Sequence, residues 1–206
     1  VVSEPPGVDA WDPWHPVEIA ERLDGCDVPW AVAAGWAVDL FLGRETRGHG
    51  DLEIAVPAHR FEEVRDRFGD CDFFTPVDGM LTPVRAGEAP AGGHQTWALE
   101  RISRRWRLDV FREPADGDTW VFRRDPGIRR PYAEVRELTR DGIPYLVPEI
   151  VLLFKAKGGR PKDEADLARV LPALDAARRR WLATALARVH PEHPWLHRVG
   201  NLTLAD

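Results

Sequence analysis

The sequence predicts an α+β fold: an α/β mixed sheet over residues 1–147, then a smaller helical region over residues 148–206. Three observations predict it. Strand-type runs alternate with helix-type stripes up to Pro148, only helical spacing continues beyond it, and no internal repeat or low-complexity segment interrupts either half. A chain of 206 residues suffices for one core domain with a helical appendage.

Residues 1–12 read as a loose, proline-containing arm. "PVEIAERLDG" is a helix, with Pro16 in its first turn and Gly25 past its end. "VPWAVAAG" is a buried strand ending at Gly35, and "WAVDLFLG" a helix apolar nearly all round, closed by Gly43. "DLEIAV" is the next strand. "PAHRFEEVRDRFG" is a helix carrying Phe61, Val64 and Phe68 on one stripe. "CDFFTPV" and "MLTPVRA" read as strands, "AGEAPAGGHQ" as a loop, and "TWALERIS" and "WRLDVFRE" as paired strands. In the last of these Trp106, Leu108 and Val110 share a face, leaving Asp109 on the other. "TWVFRR" and "EVRELTRDGIPYL" add strand, with a hairpin turn at Asp141-Gly142. Helices follow in "PEIVLLFKAK", "KDEADLARVLPAL" and "DAARRRWLATALARV", the last with Asp175 as N-cap; the tail from His190 is left unassigned.

Composition excludes several classes. No apolar run approaches the ~20 residues of a membrane span. The start lacks the basic and apolar regions of a signal peptide, and two cysteines do not make a disulfide framework, so a cytoplasmic location is expected. A net charge of −6 argues against a general nucleic-acid binder. Every lysine (Lys155, Lys157, Lys162) falls within "KAKGGRPK", where a compact ammonium suits a phosphate.

The chemistry centres on "GWAVDLFLGRETRGHGDLEIAV". Alternation along a strand puts Asp51 and Glu53 on one face, where two like charges need a cation between them. Asp109, on another strand, is a third acid turned away from the core. If the strands are neighbours, three carboxylates converge as a two-metal phosphoryl-transfer site requires. The plainer account is that these acids pair with Arg47, Arg105 or Arg107. Gly35 stands at a strand-to-helix junction, where backbone amides can hold a phosphate. Neither a Walker loop nor GxGxxG is present.

Together, "AAGWAVDLFLGRETRGHGDLEIAV", "LVPEIVLLFKAK" and "RPKDEADL" resemble the nucleotidyltransferase superfamily, in its aminoglycoside 2″-adenylyltransferase-like and lincosamide nucleotidyltransferase-like branch. The resemblance covers roughly residues 15–195 and implies a polymerase beta-like nucleotidyltransferase core ahead of the C-terminal helices. It implies that Asp51 and Glu53 bind metal, and that Asp109 completes the site or takes the proton of an acceptor hydroxyl. It places Gly35 and Trp36 beside the triphosphate, with Arg44, Arg47, Lys155 and Lys157 as phosphate contacts. Lys155 is preferred to Lys157, because two positions are ~200° apart on a helix. The implied cofactor is Mg²⁺, two ions, with a nucleoside triphosphate, ATP, as substrate.

Two positions depart from the pattern. Ala34 stands where glycine is usual, tolerable with negative φ and strained in the left-handed region. Glu53 replaces the commoner aspartate. His49 is expected to order the loop or meet a phosphate. Lys162 pairs locally with Asp166 at i, i+4, or the two acids Asp163 and Asp166 support the phosphate lysine. Trp11, Trp14, Trp30, Trp97 and Trp120 are core or base-stacking residues.

The activity these features imply is transfer of a nucleoside monophosphate to a hydroxyl of a small molecule, such as an aminoglycoside. Asp78, Glu88, Glu113 and Asp116 would greet a cationic acceptor. The rivals are transfer to RNA or protein, which needs a basic stripe from the arginines at 101–107 and 123–130, and a nucleotide-binding module without turnover. The sequence leaves the oligomeric state open.

Overall fold

The computed structural model describes residues 4–90 and 92–200. The first three residues of the expected arm and the last six of the tail lie outside the described residues. Eight strands form one mixed sheet. In chain order they are β1 (Ala31–Val32), β2 (Glu53–Pro57), β3 (Cys71–Val77), β4 (Met80–Val84), β5 (Gln95–Glu100), β6 (Arg105–Glu113), β10 (Arg136–Leu138) and β11 (Pro144–Leu146). A small antiparallel sheet of β7 (Ala115–Asp116), β8 (Thr119–Val121) and β9 (Arg129–Pro131) branches off after β6.

The spatial order of the large sheet is β10-β11-β1-β2-β6-β5-β3-β4. Its centre decides function. β2 and β6 run parallel, with Glu53 in register with Asp109 and Ile54 with Val110. Leu52, Ile54, Leu108 and Val110 are fully buried, so the apolar alternation fixes this register.

The helices are α1 (Pro16–Arg22), α2 (Ala34–Leu42), α3 (Phe61–Arg65), α4 (Tyr132–Val135), α5 (Pro148–Ala156), α6 (Pro161–Val170), α7 (Ala176–Val189) and α8 (Trp195–Gly200). Pro148 and Pro161 open α5 and α6, where a missing N–H costs nothing. The Asp175 carboxylate caps α7 by accepting from the Arg178 N–H at 2.9 Å. α5 is buried on nearly every face and packs against both α2 and α7, which ties the C-terminal helices to the sheet. Among the described residues no helix is long and apolar enough to cross a membrane.

Several expectations are corrected. The arm is pinned. Asp12 and Trp14 donate backbone hydrogen bonds to the carbonyls of Trp106 and Arg107, and Trp106 Nε1 donates to the Gly7 carbonyl at 2.9 Å. Because β2 starts opposite Asp109, the first residues of β6 lack a strand partner on that side, and the arm supplies it. The expected strand 28–35 shrinks to Ala31–Val32, and α2 takes Ala34 and Gly35.

The expected helix 57–69 is a 3-10 turn at Ala58–Arg60 followed by α3, although Phe61, Val64 and Phe68 are buried as the stripe requires. The strand expected over 96–103 stops at Glu100. A register shift pairs Ala98 with Leu108 but Leu99 with Trp106. The extra residue turns Trp106 away from Leu108 and Val110, into a separate cluster with Phe74 and Leu99. Glu134 and Val135, where strand was expected, belong to the helix Tyr132–Val135, and the Asp141-Gly142 turn does join β10 to β11.

Candidate active site

The site opens where α2 starts beside β2. Ala33 N–H donates to the Glu53 carbonyl at 2.8 Å, which locks the helix start to the acid-bearing strand. Ala33 has no side chain to cap α2, so the first amides of the helix are left for a ligand. Ala34 sits at φ 50, against the negative φ that its Cβ prefers; the chain accepts left-handed strain at this corner. Gly35 is required by packing. A Cβ there would meet an Arg47 guanidinium nitrogen, and would lie 2.8 Å from His49 Nδ1 and 2.9 Å from Cε1.

Below that corner lies a buried polar chain. Asp39, on α2, accepts from Thr46 Oγ1 at 2.6 Å, and its other oxygen lies 2.6 Å from His49 Nε2. His49 Nδ1 faces Arg47 NH1 at 3.1 Å. An arginine can only donate, so Nδ1 accepts and the proton sits on Nε2, directed at Asp39. The imidazole stacks on Trp36 with centroids 4.3 Å apart. His49 therefore orders the loop and presents Arg47 to the cleft.

The cleft has a volume of about 280 Å³. Asp51, Glu53 and Asp109 all line it, as do Gly35, Arg47 and Lys155. Asp51 lies two residues before β2 begins, in the loop, so only Glu53 projects from the strand itself. Burial, then the charges of Asp51 and Asp109, push Glu53 up to about 8. Asp109 is 4% exposed, and burial pushes it up to about 7 against a 2.5 Å hydrogen bond from Gln95 Nε2. Its Oδ1 is buried, and among the described residues no hydrogen bond within ordinary distance reaches it.

This donor set suits a hard divalent cation. The three acids face one cavity, among the described residues none forms an ion pair with an arginine, and Glu53 and Asp109 are held well above the usual carboxylate range. They do not form a closed cage: among the described residues no group of three or more histidine, cysteine or acidic side chains is close enough to hold an ion unaided. Further ligands would have to come from a substrate.

Lys155 is buried, with Nζ 2.9 Å from Asp166 and 3.5 Å from Asp163. Asp166 also lies 3.8 Å from Arg47 Nε, and Asp163 accepts from Arg160 at 2.8 Å. The expected local pair of Lys162 with Asp166 does not form; Asp166 serves the deeper cations, and Lys162 stands at the rim of the cleft.

Three expected site residues lie elsewhere. Trp36 and Arg44 border a groove on the far face of α2, and Lys157 is exposed just past α5. The four acids expected to greet a cationic acceptor do not line the cleft. Glu113 is buried against Arg123, Glu88 meets Arg85, Asp116 meets Arg129, and Asp78 forms the β3–β4 turn. Conversely, the structure brings in Gln95, Arg123 and Arg124, which no motif marked, and Arg160, which opens "RPKDEADL" with no role assigned to it, along with Phe111 and Phe154. Trp14, Trp30 and Trp120 are core residues; Trp11 and Trp97 pack around Trp106.

The fold is the one found in nucleotidyltransferases, enzymes that move a nucleoside monophosphate. Residues 17–94 match the family model for aminoglycoside-2″-adenylyltransferase, which places the chain in that branch's likeness. The same fold occurs in the crystal structure of ANT(2″)-Ia in complex with adenylyl-2″-tobramycin, with a TM-score of 0.56 and 15% identity over 84% of this chain and 95% of that one. The solution structure of the antibiotic-resistance factor ANT(2″)-Ia gives 0.54 and 16%, over 84% and 89%. The lincomycin-bound lincosamide adenylyltransferase LnuA gives 0.51 and 18%, over 75% and 92%. No curated protein sequence matches the chain.

Proposed function

We propose that this protein transfers AMP from ATP to a hydroxyl of a small molecule, with divalent cations and release of pyrophosphate. The observation that carries the reading is the in-register pairing of Glu53 and Asp109 on adjacent parallel strands, facing a cleft whose opposite wall is cationic. Asp51, Glu53 and Asp109 are the residues that would hold Mg²⁺, two ions in the full site. When bound, the metal supplies charge neutralisation at the triphosphate and a more acidic acceptor hydroxyl.

The chain's own residues do the rest. The uncapped start of α2, Arg47, Lys155, Arg160 and Lys162 bind and orient the triphosphate, in place of the Arg44 and Lys157 contacts expected from the motif. Asp163 and Asp166 hold Lys155 at the cleft until phosphate oxygens replace them. Phe111, Phe154, Leu146 and Val151 give an apolar wall that a base or sugar can lie against. Asp109, with its value near 7, is suited to accept the acceptor's proton.

Transfer to RNA or protein is less well supported, because Arg101 and Arg107 of the expected basic stripe are tied to Asp72 and to Glu100 and Asp12. A binding module without turnover is the other alternative, and the same assay separates it. The test is pyrophosphate release from each of ATP, GTP, CTP and UTP with Mg²⁺, with and without hydroxyl acceptors. Release that requires a small acceptor supports the proposal; nucleotide binding without release under every acceptor supports the module.

A further inference from the structure

The cleft has two walls, and both carry cations. One is built from α2, its following loop, α5 and α6, and carries Arg47, Lys155, Arg160 and Lys162, enough for a triphosphate. The other is built from β5, β6 and the segment just after β8, and carries Gln95, Asp109, Phe111, Arg123 and Arg124. Its charge is positive. Arg123 is paired with buried Glu113 and lies 4.2 Å over the Phe154 ring. Arg124 donates to the Phe154 carbonyl at 2.9 Å, and among the described residues no carboxylate pairs with it. Behind them Arg112 donates to Thr96 Oγ1 at 2.8 Å and to the Gly92 carbonyl at 3.1 Å, all neutral oxygens. His94, beside Phe111, is held down to about 4 by burial and then by Arg123, Arg112 and Arg124. Among the described residues the carboxylates lining the cleft are Asp51, Glu53 and Asp109, the acids proposed to hold metal; of these Asp109 faces Arg123.

We propose that Arg124, with Arg123 beside it, forms an anion subsite on the acceptor side of the cleft, so that the acceptor is a hydroxyl compound bearing a carboxylate or phosphate, not a polyamine such as an aminoglycoside. The inference rests on the nucleotidyl-transfer reading and narrows its acceptor. A polycationic acceptor needs acids that remain after the metals are bound, and among the described residues the cleft lining provides none, whereas an anion placed against Arg124 gains a cation that no carboxylate of the described residues pairs with. The hydroxyl of such a compound would then lie towards Asp109 on the same wall. The reaction balances without further reactants. The hydroxyl oxygen forms a bond to the α-phosphorus, the bond to pyrophosphate breaks, and the hydroxyl proton passes to a carboxylate of the site.

The test separates this wall from the triphosphate wall. The full chain is saturated with Mg²⁺ and a non-hydrolysable ATP analogue, and glycerol phosphate, glycerate and tobramycin are titrated by calorimetry. The same titrations are run on nucleotide-free protein. Saturable binding of glycerol phosphate or glycerate, weakened at least tenfold in Arg124→Glu with analogue affinity changed less than twofold, is the expected result. Arg124 is exposed, so the variant should keep its melting temperature. Tighter binding of tobramycin than of either anion, no anion binding, or loss of analogue affinity in place of anion affinity would each overturn the proposal. Failure of the analogue itself to bind would reject the nucleotidyl-transfer reading instead, and the nucleotide-free titrations would still decide the anion subsite.

Discussion

Two neighbouring small residues at the start of α2 should respond to substitution with opposite signs. Ala34 sits at φ 50, a conformation costing a residue with a Cβ about 1–2 kcal/mol. Ala34→Gly removes that cost but adds unfolded-chain freedom, worth about 0.4–1 kcal/mol the other way. The net gain is about 0.5–1 kcal/mol. Gly35 has no positive φ to defend, so an alanine there is favoured by helix propensity by about 0.8–1 kcal/mol. Its Cβ, however, would lie 2.8 Å from His49 Nδ1, a ring fixed between Asp39 and Trp36. Overpacking of this kind costs about 1–3 kcal/mol, so Gly35→Ala loses stability and also displaces Arg47 from the cleft. Urea unfolding at equilibrium reads both, the midpoint shifting up for the first variant and down for the second. Nucleotide titration should show weaker binding only in Gly35→Ala. A destabilised Ala34→Gly, or a Gly35→Ala that is both more stable and fully competent in binding, would refute the description of this corner.

Three further outcomes follow from the same geometry. Asp39→Asn cannot accept from both Thr46 and His49, so Arg47 loses its orientation; KM for the nucleotide should rise several-fold with the acceptor KM little changed, and a fall in kcat alone would contradict this. Glu53 rises from 4.5 to about 8 and Asp109 from 3.8 to about 7 on folding, so between those values the folded protein binds more protons than the unfolded. Stability without metal should therefore fall as pH rises through that window, and Mg²⁺ should raise the melting temperature more at about pH 8 than at about pH 5.5, whereas an equal rise at both would count against the acids as cation ligands. Lys155→Met removes the buried cation shared by Asp163 and Asp166; Asp163 keeps Arg160, and Asp166 keeps Arg47 and Arg169 at 3.8 and 3.4 Å, so the two buried carboxylates are less well compensated and the melting temperature should drop along with nucleotide affinity.

Much of this arrangement was legible in the sequence because it is written in local patterns. Alternation around Leu52, Ile54, Leu108 and Val110 marked the two strands, and proline placement marked α5. The motif around Gly35 and Asp51 carried the resemblance that residues 17–94 and the fold support. What stayed hidden depends on distance in the chain. Arg123 and Arg124 reach the cleft because a small sheet branches off after β6 and folds them back over Phe154. Gln95 looked like loop because glycines precede it, yet it starts β5 and faces Asp109 across a strand pair. Trp106 was misplaced by one inserted residue, a shift that pairing alone reveals. Helix spacing alone preferred Lys155 to Lys157, whereas Arg44 looked equivalent to Arg47 by charge and is separated from it by the Asp39–His49 contact that presents Arg47 to the cleft.

The most direct measurement is single-turnover pyrophosphate release from Mg²⁺-ATP in the presence of a hydroxyl acceptor, comparing the unmodified protein with Asp109→Asn. With its carboxylate at the proposed reacting centre replaced, the variant should release pyrophosphate at least about 10²-fold more slowly while still binding nucleotide and melting no lower. Equal rates in the two proteins would show that the convergence of residues 51, 53 and 109 is not where the chemistry happens.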